Sequence, residues 1–89
     1  MLDIYVITMY SLRKPTEVQI MTLAEYRDQL AWSQAELARK AGISAPTVSK
    51  AERGDPINGK SANRICEALS RALGHTVSVR DVSGWKVEV

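Results

Sequence analysis

The spacing of apolar residues along the chain changes once. Leu2, Ile4, Val6, Ile7, Met9 and Tyr10 form a β-branched, partly alternating run that predicts a strand. Ser11 to Glu17, with Pro15, reads as a turn or linker. From Thr22 the period becomes helical. Thr22 is placed to N-cap a first helix with Leu23, Tyr26, Arg27, Leu30 and Ala31 on one stripe, ending near Trp32. Ser33-Gln34-Ala35-Glu36 is a capping box, in which a hydroxyl and a carboxylate satisfy two orphan amides. The second helix it opens runs through Leu37, Ala38 and Ala41 and stops at Gly42, a residue free to adopt a left-handed turn. Ser44 caps a third helix, Ala45 to Arg53, where Pro46 is tolerable because it falls in the first turn.

Beyond Gly54 the pattern is weaker. Asp55-Pro56-Ile57-Asn58-Gly59 has the composition of a loop. Ser61 is placed to cap a fourth helix, with Ile65, Ala68, Leu69, Ala72 and Leu73 inward and Gly74 at its end. The tail admits two readings. Ser78 to Val82 forms a short capped helical turn and Ser83-Gly84 releases a strand over Trp85–Val89, or Thr76–Arg80 and Trp85–Val89 pair as a hairpin. The chain thus divides into an extension over 1–20 (strand and linker), a helical domain over 21–83 and a terminal strand over 84–89. Met21 is a candidate internal start.

Composition narrows the class. With 89 residues the chain is one domain's worth, and 45% apolar with 25% charged residues argues against disorder. No apolar run approaches the roughly 20 residues that span a bilayer. The basic pair Arg13-Lys14 follows the apolar start and no small-residue cleavage site comes after it, which speaks against a signal peptide. Cys66 is the only cysteine and is expected core-facing or on a helix side, so no internal disulfide forms and a cytoplasmic setting is expected. The net charge of +2 says less than its distribution. Arg39, Lys40, Lys50, Arg53, Lys60 and Arg64 face only Glu52 and Asp55 between residues 39 and 64. Such a local basic surface suits phosphate, although charge alone favours a solvated helical face. His75 is the sole histidine, and neither a metal-ligand cluster nor a glycine-rich phosphate loop occurs. An enzyme, a cofactor or a metal is therefore not expected.

Two helices of about eight residues cannot each build a core. They can pack steeply on each other where the contact residues are small and the turn holds glycine. Ala38, Gly42 and Val48 supply this: the fifth, ninth and fifteenth residues counting from Gln34. Residues 22–74 resemble the Cro/C1-type helix-turn-helix of the xenobiotic-response-element (XRE) family of bacterial and phage repressors. The resemblance is carried by Leu23, Arg27, the run Ser33-Gln34-Ala35-Glu36-Leu37-Ala38, Gly42-Ile43-Ser44, Thr47-Val48-Ser49, Glu52-Arg53-Gly54 and the stretch from Ile65 to Leu73.

The resemblance implies a mainly α, lambda-repressor-like five-helix bundle, here with short strands at its ends. Its fifth helix is short, which favours the helical turn at Ser78 over the hairpin. It implies that the helix from Ala45 enters the major groove while the helix from Gln34 lies across the backbone. Base reading then falls to Ala45, Pro46, Thr47, Ser49 and Lys50. Phosphate contacts fall to Gln34, at a helix N-terminus, and to Ser44, Arg53, Asn58 and Lys60. Arg27 and Glu52 match a pair that joins the first and third helices as a structural salt bridge. The segment Ser44–Lys50 departs from many members in lacking Asn, Gln and Arg, the side chains that grip a base edge bidentately. Part of any specificity is then expected from DNA shape.

The expected partners are double-stranded DNA and a second copy of the chain, with Ile4–Tyr10 and Trp85–Val89 as strands to pair with each other or across a dimer. The expected role is a transcriptional regulator, most simply a repressor. An antitoxin that represses its own operon and binds a toxin is the alternative, and a protein-interaction module with the fold alone is a further one. Salt-dependent DNA binding separates the last from the first two.

Overall fold

The computed structural model describes residues 20–88. The strand expected over Ile4–Tyr10, the linker to Glu17 and the end of the terminal strand at Val89 lie outside the described residues. Four α-helices follow a two-residue strand: β1 (Met21–Thr22), α1 (Leu23–Leu30), α2 (Gln34–Ala41), α3 (Ala45–Arg53), β2 (Pro56–Asn58) and α4 (Gly59–Leu73). A single 3-10 turn, Val79–Asp81, then leads into β3 (Val82–Ser83) and β4 (Lys86–Glu88).

The first three helices begin where local chemistry demands. Thr22 and Ser33 form full capping boxes with Glu25 and Glu36, and Ser44 caps α3 with Pro46 just inside it. α2 ends on Gly42 at φ 71° and α3 on Gly54 at φ 83°. α1 ends differently. Ala31 is its left-handed cap at φ 55° and is exposed, so it does not continue the buried stripe expected of it. The amide of Trp32 closes this end by donating to the Arg27 carbonyl at 3.0 Å.

α4 is the spine of the core. Ala62, Ile65, Ala68 and Leu69 pack with Leu23 and Tyr26 of α1, Leu37 and Ala38 of α2, and Val48 and Ala51 of α3. Leu37, Val48, Ile65 and Leu69 are fully buried, each side chain being worth about 1.5–3 kcal/mol relative to exposure. Alanine at 38 and 51 lets the helix backbones approach closely. Ala72, expected inward, is exposed. With 15 residues α4 is about 22 Å long, against about 12 Å for the helices it packs on, and Leu73 in its last turn still packs against the core.

Three other expectations, and the hairpin alternative for the tail, give way to longer-range contacts. The cap of α4 is Asn58 in place of Ser61: the Asn58 Oδ1 accepts from the Ser61 amide at 2.7 Å, and the helix starts at Gly59. The segment Pro56–Asn58 is a strand and not a loop, parallel to β4 with Pro56 beside Lys86, Ile57 beside Val87 and Asn58 beside Glu88. One buried side chain, Ile57, anchors it. No hairpin joins Thr76–Arg80 to the terminal strand. The Ser70 hydroxyl takes up the Val77 amide at 2.8 Å and itself donates to the Cys66 carbonyl, which stitches that segment to α4. The capped helical turn expected from Ser78 is present, as one 3-10 turn in place of a fifth α-helix. Ser78 donates its amide to Asp81 Oδ2 at 2.9 Å, and Val82 is already extended, pairing in parallel with Met21. Tyr26 secures the turn from below, its hydroxyl donating to the Asp81 carbonyl at 3.1 Å.

Candidate nucleic-acid interface

α2 and α3 meet across a three-residue turn. The Ile43 amide donates to the Ala38 carbonyl at 3.0 Å, and the Ser44 hydroxyl accepts from the Thr47 amide while sharing a 2.7 Å bond with the Thr47 hydroxyl. Val48 and Ala51 turn α3 inward. Its other side presents Pro46, Lys50 and Arg53 to solvent, with Thr47 and Ser49 half-buried. Ala45 is half-buried and packs against the core.

A polar chain ties α1, α2 and α3 together where the apolar contacts stop. Arg27 grips Glu52 with two parallel bonds, Nε to Oε2 at 2.6 Å and Nη2 to Oε1 at 2.9 Å, and spends its third on the Trp32 carbonyl. Glu52 Oε1 also accepts from Gln34 Nε2 at 3.1 Å. Ser49 then donates its hydroxyl to Gln34 Oε1 at 2.7 Å. Both ends of the Gln34 amide are thereby engaged. Burial alone would raise the Glu52 carboxyl, but the bonds from Arg27 and Gln34 and the Arg27 charge outweigh it and hold it below its ordinary value. The guanidinium of Arg27 is raised in turn, chiefly by its bonds to Glu52. Such a bidentate, mostly desolvated pair is costly to break from one side.

The basic residues divide by what they hold. Arg64 donates to the Gly42 carbonyl and Arg71 to the Lys40 carbonyl, each placing positive charge at the negative C-terminal end of α2. Lys40 lies over the Trp32 ring, 5.6 Å from its centroid. Arg53 pairs with Asp55 at 3.2 Å, but both are well exposed, and a pair of that kind contributes little and exchanges readily. Lys50 and Lys60 have no acidic partner within 4.0 Å among the described residues. Lys60 sits in the first turn of α4, beside the Asn58 cap, where exposed amides and the helix dipole favour an anion. The basic surplus read from the sequence is thus narrower in space: Arg64 and Arg71 brace the helix-turn-helix, and Lys50 and Lys60 are free.

Cys66 is buried in α4, and burial, with smaller effects from Asp81 and Glu67, pushes its thiol up to about 11. It is a poor nucleophile near neutrality. Among the described residues no group of His, Cys, Asp and Glu is arranged to hold a metal, and no helix is long and apolar enough to cross a membrane.

A family model described as helix-turn-helix matches residues 23–78, well over half of the 89 residues. The chain belongs to the XRE (Cro/C1-type) helix-turn-helix family. No curated protein and no solved structure gives a match. As a Cro/C1-type helix-turn-helix protein it carries the motif from Gln34 to Arg53, on α2 and α3, with α1 and α4 as its support. The candidate DNA-facing residues of this family member fall into two sets. Ser44, Pro46, Lys50, Arg53, Asn58 and Lys60 are exposed, whereas Gln34, Ala45, Thr47 and Ser49 are partly covered. The bond between Gln34 and Ser49 has no signature in sequence. The two residues lie fifteen positions apart on different helices, and only the crossing of α2 over α3 brings them together.

Proposed function

We propose that this chain is a sequence-specific DNA-binding transcriptional regulator, acting as a repressor, that lays α3 in the major groove and works as a dimer. The family supports DNA binding, and the observation that carries the reading is the free, outward Lys50 on a helix whose inner side is locked by Val48, Ala51 and the Glu52 network. On this reading Lys50 donates to guanine O6 and N7, and Pro46 and Ala45 give apolar contact to a thymine methyl. Thr47 and Ser49 add short hydroxyl contacts to base or backbone. Ser49 does so by releasing its bond to Gln34, or it remains a spacer that sets the height of α2 over α3.

Phosphate contacts come from the starts of α2, α3 and α4 and from the end of α3. Gln34 is the first residue of α2, so its backbone amide is an orphan donor that remains available while its side chain is occupied. Ser44 and Asn58 flank two further helix starts, and Lys60 and Arg53 add charge. One unit of this size contacts too few base pairs for tight binding, which is why paired half-sites about one helical turn apart are expected.

Selection of duplexes from a random pool tests the whole reading. The expected result is enrichment of a pseudo-palindromic site, with affinity falling steeply as salt rises. A pool that stays random after repeated rounds would sink it.

A further inference from the structure

Asp55 carries the wrong charge for the place it occupies. Its amide donates to the Lys50 carbonyl at 2.9 Å, which pins it beside the last turn of α3. A helix C-terminus is partially negative and favours cations, such as Arg53 in that same turn. An acid there opposes the helix. Between residues 39 and 64 the acids are Glu52 and Asp55. Glu52 is engaged by Arg27 and Gln34, whereas among the described residues the Asp55 side chain has one partner, Arg53.

That partner is a candidate phosphate ligand. Arg53 Nε and Nη2 both donate to Asp55 Oδ2 at 3.2 Å. The Nε–Nη2 edge is one with which a guanidinium grips a phosphate, and it cannot hold both anions at once. The two side chains are 64% and 48% exposed, so the pair adds little to stability and opens readily. Asp55 therefore costs the helix end something and returns little to the fold. What it changes is the availability of Arg53.

We propose that Asp55 sets the discrimination between a matching DNA site and random DNA, by withholding Arg53 from phosphate until α3 is fully seated. This rests on the DNA-binding reading above. On random DNA the contacts are loose and electrostatic. Lys50 and Lys60 make them, and Arg53 stays with Asp55. On a matching site α3 enters the groove in fixed register, a phosphate is brought against Arg53, and the pair exchanges. Asp55 thus lowers the sequence-independent share of binding, against which specificity is measured.

Anisotropy of two labelled duplexes, one random and one selected from a random pool by the wild-type chain, tests this across a salt series. The chains compared are wild type, D55N, R53A and R53A/D55N. D55N is expected to bind the random duplex about fivefold tighter, the upper range for an exposed ion pair. Its slope of log affinity against log salt should steepen by about one, as for one added phosphate contact. On the selected duplex the slope should stay as in wild type, because Arg53 already holds phosphate there. In the R53A background the D55N gain on random duplex should vanish. Glu67→Gln removes the same charge from the side of α4 that faces Thr76–Arg80, and screening should keep its effect below about twofold.

The proposal is overturned by a D55N that binds random duplex no tighter than E67Q does, by equal gains on both duplexes, or by a gain that survives R53A. A D55N less stable than wild type in thermal unfolding would also overturn it, by giving Asp55 a structural role. A pool from which no duplex is enriched rejects the regulator reading itself. Enrichment with none of the D55N effects rejects the role of Asp55 alone.

Discussion

α4 buries five of its fifteen residues, and α3 buries two of nine. The longer helix is held by area: Ile65 and Leu69 are fully buried in the core that all four helices share, and nothing polar is required of them. The shorter helix is held by Val48 and Ala51 together with hydrogen bonds passing from Arg27 through Glu52 and Gln34 to Ser49. The contrast is one of direction. Apolar burial tolerates a helix that slides or rotates slightly, whereas a bidentate guanidinium–carboxylate bond sets distance and angle together. A helix that must leave one whole side uncovered cannot be held by area, and α3 substitutes geometry for area.

This contrast can be broken from either side. Leu69→Ala should cost the most, about 2–5 kcal/mol in denaturant unfolding, because it opens a cavity at a fully buried position of the core. A loss below about 1 kcal/mol would show that α4 is not the spine. Glu52→Ala should cost about 2–3 kcal/mol, since it strands the Arg27 guanidinium and one end of the Gln34 amide. The same network predicts a pH dependence. The folded Glu52 carboxyl lies below its ordinary value of 4.5, so its contribution is present in full above that value and fades as pH falls through the lowered one. Glu52→Gln should flatten the unfolding curve over that acid window, and an unchanged slope would remove Glu52 from the account.

Smaller effects test the outer side of α3. Lys50→Ala should leave stability within about 0.5 kcal/mol, as for an unpartnered surface position. On a selected duplex it should weaken binding by about 1–2 kcal/mol and relax the preference at one base pair. Unchanged affinity and preference would move the reading face elsewhere. Ala31→Gly is the smallest. Relief of the left-handed backbone at φ 55°, offset by the freer unfolded chain, should stabilise by about 0.5 kcal/mol and raise the melting temperature by a few degrees.

The parts of the fold legible in the sequence are those specified within one turn of helix. Thr22 with Glu25, Ser33 with Glu36, and the glycines at 42, 54 and 74 place α1, α2 and α3 and the end of α4, because a cap is a contract between residues three apart. The start of α4 is misread at Ser61 in the sequence because Asn58, three residues earlier, is an equally competent cap. The extended backbone at Asn58 decides it, by aiming that side chain at the Ser61 amide. The pairing of β2 with β4 was illegible because it joins segments some thirty residues apart through a single buried residue on one strand, Ile57. For the candidate site the residue types and, through the resemblance, the Arg27–Glu52 pair were legible, and the other engagements were not. Nothing in the order of residues says that Arg64 belongs to the Gly42 carbonyl while Lys60 belongs to solvent.

The seating of β4 has a mechanical consequence. A Cβ on Gly54 would lie 3.4 Å from the Gly84 carbonyl oxygen, and one on Gly59 would lie 3.3 Å from that of Glu88. The C-terminal strand is therefore gripped at both ends of β2, by backbone lying almost flush against backbone. Only Gly54, itself one of the two contact points, and Asp55 separate β2 from the last residue of α3. Any load borne by β4 is handed to the end of α3 along a tether two residues long, too short to absorb it as slack.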